Sequence, residues 1–476
     1  MSDSWSHPNI RNVALERWIN EIASHTTPSA IRLEVPDGQS VAPDADTGYA
    51  DAVEYVSVAR PQDSGPFNRW VGRATADERI WPLFRGCMTG RTMFVVPYVL
   101  GRPGGYLSRV GVQLTDSPYA AALLRERLWT GSVALDSIGD TSFFARSVHS
   151  RVKLSRGEAT IVHFPETQEI WSIGSDAPRA ALLPRKAHAL RLGSQHGLNE
   201  GWLAVRGSIV GVEPPGGPKR WLVVAGDGLT PWGRLVDLPS GWRTETATTA
   251  ACFVYVGRDG RLWAAPAERE RGPDVPNREV PVAGFVFTTR RSRVAPLLLE
   301  ASTWRHGVYL AASLRTERTR SPSTPGILVP DPLCMAQDCG VHMGEYLDHV
   351  LSIGRQLAEA PRIFFANTAR VGTPAVWWPS GAANVRLLAW IYGRIEGMAA
   401  GLRTPIGVVP TPESIDATHL DLPDGLLEQL LAPDGTEWLR EVERTSTFFS
   451  EFGSKLPNAL RAEHRALLAR LETSIH

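Results

Sequence analysis

The sequence predicts a mixed α/β (α+β) chain in two lobes, and three observations carry that expectation. Strand-like and helix-like runs alternate through the first part of the chain. From about residue 205 the pattern turns strand-rich and then closes in helices. The 476 residues also suggest two or three lobes, sharing one large buried core or two adjacent ones. A boundary near 202–207 therefore divides the chain into lobes 1–204 and 205–476.

In NVALERWINEIASH, Val13, Leu15, Trp18, Ile19 and Ile22 recur close to helical spacing and predict a first helix. Residues 36–68, rich in Pro, Gly, Asp and Ser, read as loop around one short strand, AVEYVSVA. RTMFVVPYVLG and SRVGVQLTD read as strands joined by the turn RPGG. SPYAAALLRERLWTG reads as a helix, with Ser117 as N-cap, Pro118 opening the first turn and Gly131 past the end. ATIVHFP and EIWSIGS are strands, and AHALRLGSQHGLNEGWLA is a helix. Beyond 205, GSIVGVE, RWLVVAG, ACFVYVGRDGRLWAAP, VAGFVFTT and GVYLAAS read as strands, with RDG marking a hairpin turn. Residues 266–280 and 316–326 are polar, Pro-rich loops. HMGEYLDHVLSIGRQL, VRLLAWIYGRIEG and the tail from about 424 are helical. The last helix starts at Pro457 and carries Leu460, Leu467, Leu468 and Leu471.

Composition narrows the function class. Fifty basic and fifty acidic residues cancel, which argues against a nucleic-acid partner or a polybasic membrane-binding surface. Four cysteines, with no C-x-x-C pair, signal neither a disulfide framework nor zinc. The N-terminus lacks a basic segment followed by an apolar run, and no stretch is apolar and long enough to span a membrane. A cytoplasmic setting is expected.

The stretch VVAGDGLTPWG (223–233) has the outline of a phosphate loop, an apolar strand running into a glycine turn. Trp232 stands where a Lys is expected, and Pro231 has no N–H to offer.

Several segments resemble the GTP-dependent phosphoenolpyruvate carboxykinases, in that family's order. They are GCMTGRTMFVVPYVLGRPGGYLSRVGVQLTDSPYAAALLRERLWTG, GWLAVRGSIVGVEPPGGPKRWLVV, EASTWRHGVYLAASLRTE, DPLCM and GRIEG…LRTPIGVVP. The chain is shorter than a typical member, with most of the loss between about 265 and 282. The resemblance implies a two-lobed carboxykinase-like fold, with a mixed-sheet N-terminal lobe on the organic-acid side. The C-terminal lobe is implied to be P-loop-kinase-like, its P-loop no longer functional. There the family's loop, P-S-A-C-G-K-T-N, is replaced by Asp227-Gly228-Leu229-Thr230-Pro231-Trp232-Gly233-Arg234.

The resemblance also places the machinery. The family's metal, usually Mn²⁺, is held by a Lys, a His and an Asp. Lys186 keeps the first position, Arg206 replaces the His, and Thr249 and Ala250 fall on the Asp pair. The guanine walls fall on about Ala369, Val376 and Gly381, while Asn384 matches the base-reading Asn. These substitutions predict that neither GTP nor metal is used. On the acid side, Arg60 matches the Arg that binds the substrate carboxylate, where a planar guanidinium can grip bidentately. Asn277 and Arg278 match an Asn and a second substrate Arg once a one-residue gap is allowed. Arg290 and Arg291 match an Arg pair that neutralises phosphate, and could hold an anion or cap a strand. Lys186 could be a base, an imine-former or a salt-bridge Lys. Residues 314–328 have the length of the family's lid.

The expected ligand is a small anionic organic acid. The first reading is a nucleotide-independent lyase, decarboxylase or proton-transfer enzyme on an oxaloacetate- or phosphoenolpyruvate-like acid, in specialised metabolism. Lys186 and Arg60 would be catalytic, with Arg60, Arg206, Asn277, Arg278, Arg290 and Arg291 binding substrate. The alternatives are a non-catalytic paralogue that senses or binds a partner, and a GTP-dependent carboxykinase.

Overall fold

The computed structural model describes residues 31–32, 52–83, 93–101, 107, 109–116, 143–149, 159–174, 187–226, 241–248, 251–267, 278–318, 327–370, 378–379 and 383–475. The chain forms two compact units. Unit 1 is Met1–Glu200 with Ala265–Gly272 and Asp338–His342; unit 2 is the remainder.

The described part of unit 1 is built on an eight-stranded sheet. Its strands are β1 (Ile31–Arg32), β2 (Ala52–Val56), β3 (Arg69–Trp70), β4 (Met93–Leu100), β5 (Arg109–Thr115), β6 (Phe143–His149), β7 (Ala159–Phe164) and β8 (Glu169–Gly174). The order is β1-β4-β5-β6-β8-β7-β2-β3. MFVVPYVL and RVGVQLT pair antiparallel from Phe94–Thr115 to Leu100–Arg109, as a hairpin requires. The turn RPGG and the helices read over 12–25 and 117–131 lie outside the described residues. Every residue of β8 is buried, the pattern of a strand covered on both faces.

The segment AHALRLGSQHGLNE opens as a π-helix (Ala187–Leu192) and continues as α1 (Gly193–Glu200). The helix expected to run on through GWLA ends at Gly201, whose φ of +85° is the left-handed turn that suits glycine. Trp202–Val205 is strand β9 instead.

The further strands, in unit 2 but for the last two residues of β14, are β10 (Gly207–Glu213), β11 (Arg220–Ala225), β12 (Arg243–Thr248), β13 (Cys252–Val256), β14 (Leu262–Pro266), β15 (Val280–Thr288), β16 (Leu298–Glu300), β17 (Arg315–Arg318), β18 (Ile327–Pro330), β19 (Arg362–Ala366), β20 (Leu402–Thr404) and β21 (Gly407–Val409). The main path runs β12-β10-β11-β15-β19-β16-β21-β20, with β9, β13 and β14 joined beside it. β11, β15 and β19 run parallel to one another. The RDG turn closes as expected: Gly260 has φ +70°, and the Asp259 carboxylate accepts from the Arg261 N–H at 3.1 Å.

GVYLAAS, read as a strand, is helical, within α2 (Trp304–Ala312). A short apolar run fits a buried helix as well as a strand. The deciding signal lies just upstream, where Thr303 Oγ1 accepts from the His306 N–H at 3.1 Å and caps the first turn. The other helices of unit 2 are α3 (Met343–Gln356), α4 (Asn384–Ile395), α5 (Leu426–Leu431), α6 (Gly435–Ser450) and α7 (Asn458–Ile475). Leu387, Leu388, Trp390 and Ile391 of α4 bury against Val210, Leu222, Val224, Val286 and Phe364 of the sheet. Along α7, Leu460, Leu467 and Leu471 are buried, and Glu463 sits among them, paired with Arg305 and Arg470. No helix among the described residues is long and apolar enough to cross a membrane.

Replacing the cap by Thr303→Ala should destabilise the protein by about 1 kcal/mol, the ordinary cost of a lost N-cap. Urea denaturation measures it; an unchanged midpoint would show that tertiary packing alone holds α2.

Candidate functional site

Parallel strands deliver their C-terminal ends to one edge, and a ligand crevice commonly forms beyond that edge. In unit 2 the edge is formed by Gly226 after β11, Thr288 and Thr289 at the end of β15, and Asn367 after β19. Gly226 has φ +117°, and a Cβ there would lie 2.3 Å from the Thr288 carbonyl oxygen. The strand therefore leaves the sheet through a position only glycine fills. The phosphate-loop-like segment that follows, 227–240, lies outside the described residues.

Arg206, between β9 and β10, reaches the same edge, because Gly207 pairs with Ala225 at the end of β11. It is buried, its guanidinium 3.6 Å from the Asp331 carboxylate, and its N–H donates to Met335 Sδ at 3.1 Å. Asp331 also accepts from the Ala336 N–H at 3.1 Å, so one carboxylate braces both Arg206 and its own loop. Within that loop Leu333 and Cys334 both have left-handed backbones, φ +53° and +57°. Such conformations cost about 1–3 kcal/mol each and persist only where the surroundings enforce them.

Arg290 and Arg291 follow β15. Arg290 is exposed; its carbonyl accepts from the Glu317 N–H at 2.8 Å. Arg291 is buried, with a bidentate grip on Glu441 of α6 at 3.0 and 3.2 Å. Arg315 shares the same carboxylate at 2.8 Å and also donates to the Arg444 carbonyl at 2.8 Å. Burial pushes the Glu441 carboxyl up, yet the two guanidinium groups outweigh it and hold its pKa below the ordinary value. For Arg315 burial wins and its pKa is lowered. The Asn367 side chain accepts from the Arg291 N–H at 2.9 Å and donates to the Arg291 and Ala295 carbonyls at 2.8 Å.

The lid-like stretch 314–328 begins and ends as a hairpin. β17 pairs antiparallel with β18 from Arg315–Pro330 to Arg318–Ile327, and its tip, 319–326, lies outside the described residues. Thr289 Oγ1 donates to the Arg315 carbonyl at 2.8 Å, and the Glu317 carboxylate accepts from Ser292 N and Oγ at 2.9 Å. The base of the hairpin is thus tied to the end of β15.

Arg278 does not join this edge. It precedes β15 and Arg290 follows it, at opposite ends of a nine-residue strand about 30 Å long. There its guanidinium stands 5.6 Å over the Trp221 ring and 3.9 Å from Glu245. Asn277 and Lys186 lie outside the described residues, as do Thr249, Ala250, Val376 and Gly381. Asn384 is buried, its Oδ1 accepting from Trp378 Nε1 at 3.1 Å.

In unit 1, Arg60 is exposed and opens the 3₁₀ turn Pro61–Ser64. Its guanidinium holds Asp63 at 2.9 and 3.2 Å, and that hydrogen bond and charge raise its pKa. Asn68 Nδ2 donates to the Ser64 carbonyl at 2.9 Å, and Arg191 donates to Asn68 Oδ1 at 3.0 Å. His163, fully buried, is held neutral: burial and then the Arg191 charge push its pKa down to about 3.

Asp331, Asn367, Glu441, Asn68 and Arg191 were not singled out by the sequence. The one local signal was a polar Asn directly after the apolar strand IFFA. Asn367 reaches back 76 residues to Arg291, and Glu441 reaches 150.

Comparisons with known proteins bear on the whole chain. Residues 273–470 match the model of the phosphoenolpyruvate carboxykinase C-terminal P-loop domain, and residues 40–198 match that of the N-terminal domain. A "Phosphoenolpyruvate carboxykinase [GTP]" from Anaeromyxobacter dehalogenans is 29% identical over 90% of this chain and 87% of its own. One of the same name from Neocallimastix frontalis is 29% identical over 90% and 88%. Another, from Chlamydia caviae, is 28% identical over 97% and 98%.

These matches correct the expectation that no GTP and no metal are used, since relatives along nearly the entire chain are named for GTP. The reason is physical. Phosphate loops bind largely through backbone N–H groups, so a changed side chain does not by itself remove the site. Arg206 has no lone pair to offer a metal, so any cation held here takes other donors.

Glu441 contributes stability that is complete above its ordinary carboxylate pKa of 4.5 and is lost as pH falls through its lower, folded-state value. Glu441→Gln should therefore flatten the acid limb of a melting-temperature profile. At neutral pH it should cost about 3 kcal/mol, the penalty of a broken buried pair. An unchanged acid limb would assign the acid sensitivity to other groups.

Proposed function

The chain belongs to the phosphoenolpyruvate carboxykinase family, and from that premise we propose that it converts a small acid of the oxaloacetate or phosphoenolpyruvate class with GTP as phosphoryl partner. The observation that carries this is the unit 2 edge. There the carboxyl ends of three parallel strands bring together Gly226, Arg206, the Arg290–Arg291 pair and the base of a hairpin lid. The relatives' names favour this GTP-dependent alternative over the nucleotide-independent lyase that the substitutions suggested.

GTP supplies the phosphoryl group, with a divalent cation to screen its charge. The chain's own contribution is positioning and charge. In unit 1, Arg60 offers a guanidinium fork to a carboxylate of the acid, displacing Asp63. In unit 2, Arg206 is held by Asp331, so its charge is fixed in place before an anion arrives. Glu441 fixes the Arg291 side chain, which leaves the neighbouring exposed Arg290 to meet phosphate oxygens. The hairpin 315–330 stands anchored at its base, as a lid that excludes water must be. Lys186 remains a candidate for moving a proton. The buried free cysteines Cys252, Cys334 and Cys339 support placing this activity in the cytoplasm.

Incubation of the purified protein with oxaloacetate, GTP and Mn²⁺ or Mg²⁺ should yield phosphoenolpyruvate, carbon dioxide and GDP in equal amounts. Carbon dioxide release of equal rate without GTP would overturn the proposal. Arg60→Ala should weaken binding of oxalate, a dicarboxylate probe, about ten- to a hundred-fold, the loss of a charge-assisted bidentate pair. Calorimetry measures it, with Asn384→Ala as the control that leaves oxalate binding unchanged.

A further inference from the structure

Arg60 stands on a turn whose outer side is solvent, so something must hold the turn still if its guanidinium is to meet a carboxylate in a fixed direction. A continuous run of hydrogen bonds does so. The Asp63 N–H donates to the Arg60 carbonyl at 3.0 Å, and Ser64 Oγ donates to the Pro61 carbonyl at 2.7 Å. The Ser64 carbonyl accepts from Asn68 Nδ2 at 2.9 Å, and Asn68 Oδ1 accepts from Arg191 at 3.0 Å. Arg191 is only 4% exposed and lies in the π-helix Ala187–Leu192, which begins one residue after Lys186. The run thus joins the segment carrying one candidate acid residue to the segment carrying the other, across 123 residues of sequence.

A third piece of unit 1 locks the arrangement. Gly65, at φ +78°, packs so that a Cβ would lie 3.1 Å from the His342 ring. Gly340 backs onto the Arg191 carbonyl so closely that a Cβ would lie 2.2 Å from its oxygen. The Val341 carbonyl between them accepts from Asn68 Nδ2 at 3.5 Å. Residues 340–342 are therefore seated against both the turn and the helix, glycine being favoured at 65 by its backbone angle and required at 340 by space.

We propose that Asn68 and Arg191 are a positioning pair that orients Arg60 and thereby sets the affinity for the acid. The inference rests on the reading of Arg60 as the carboxylate-binding residue. Neither member of the pair touches the acid; each acts through the turn.

The test is a double-mutant cycle on the full chain, read by calorimetric binding of oxalate and, separately, of GTP. Arg191→Met removes the donor while keeping bulk, and should weaken oxalate binding about ten-fold, the effect of losing one charge-assisted hydrogen bond. Arg191→Lys restores a charged donor and should recover most of that loss; GTP binding should be unchanged in both. In an Arg60→Ala background, Arg191→Met should cost nothing further, because the residue it positions is gone. Should Arg191→Met fail to fold, Asn68→Ala carries the same expectations. If Arg60→Ala weakens oxalate binding but Arg191→Met alone leaves it unchanged, or the two losses simply add in the double mutant, the inference is overturned and the Arg60 reading stands. If Arg60→Ala itself leaves oxalate binding unchanged, the Arg60 reading falls, and this inference with it.

Discussion

Strands β11, β15 and β19 run parallel, and parallel strands must release their chain at the same edge of the sheet. Most of what unit 2 offers to a ligand follows from that constraint. It brings Gly226, the Thr288–Arg291 segment and Asn367 to one line of positions, although they are far apart in sequence. It also explains why Gly226 has no substitute: the chain turns away against the Thr288 carbonyl, with no room for a side chain. Antiparallel β10 then carries Arg206 back to the same edge through the Gly207–Ala225 pairing.

Charge at that edge is arranged economically. A single buried carboxylate, Glu441, serves two buried guanidinium groups, Arg291 and Arg315, one following the central strand and the other opening the hairpin. Such a triad is worth little as net stability, because desolvating three charges consumes most of the attraction. What it supplies is register: the end of β15 and the base of the hairpin are referred to the same helix, α6. Asp331 plays a similar part for Arg206, bracing a loop with two consecutive left-handed residues.

Legibility in the sequence followed the range of the interactions. Runs such as GSIVGVE, RWLVVA and VAGFVFTT announced their strands because buried parallel and central strands are nearly continuous apolar stretches. GVYLAAS misled because its apolar run is too short to show a period, and its cap at Thr303 lies outside it. Arg206, Arg290 and Arg291 were reached through family resemblance, and the structure shows three different settings for them: braced, exposed and buried. Arg278, matched by the same route, lies at the far end of its strand, over Trp221. The partners Glu441, Asn367, Asp331 and Arg191 were illegible because nothing local marks a residue whose role is a contact across tens or hundreds of positions. The expectation that GTP is not used rested on side chains alone, and relatives along nearly the entire chain are named for GTP.

Unit 1 is discontinuous: Ala265–Gly272 and Asp338–His342 belong to it, although the bulk of it is finished by Glu200. During synthesis the emerging chain holds an N-terminal sheet whose last wedge, around Gly340, has not yet been made. Arg191 and the Gly65 turn then lack the segment they are shaped to receive, and most of unit 2's parallel sheet is translated before it arrives. The N-terminal unit thus departs from the simple vectorial pattern in which one domain is wholly made before the next begins. The residues that pack against Arg191 and the Gly65 turn are made only after much of the neighbouring unit, so the two units share one span of synthesis rather than two successive ones.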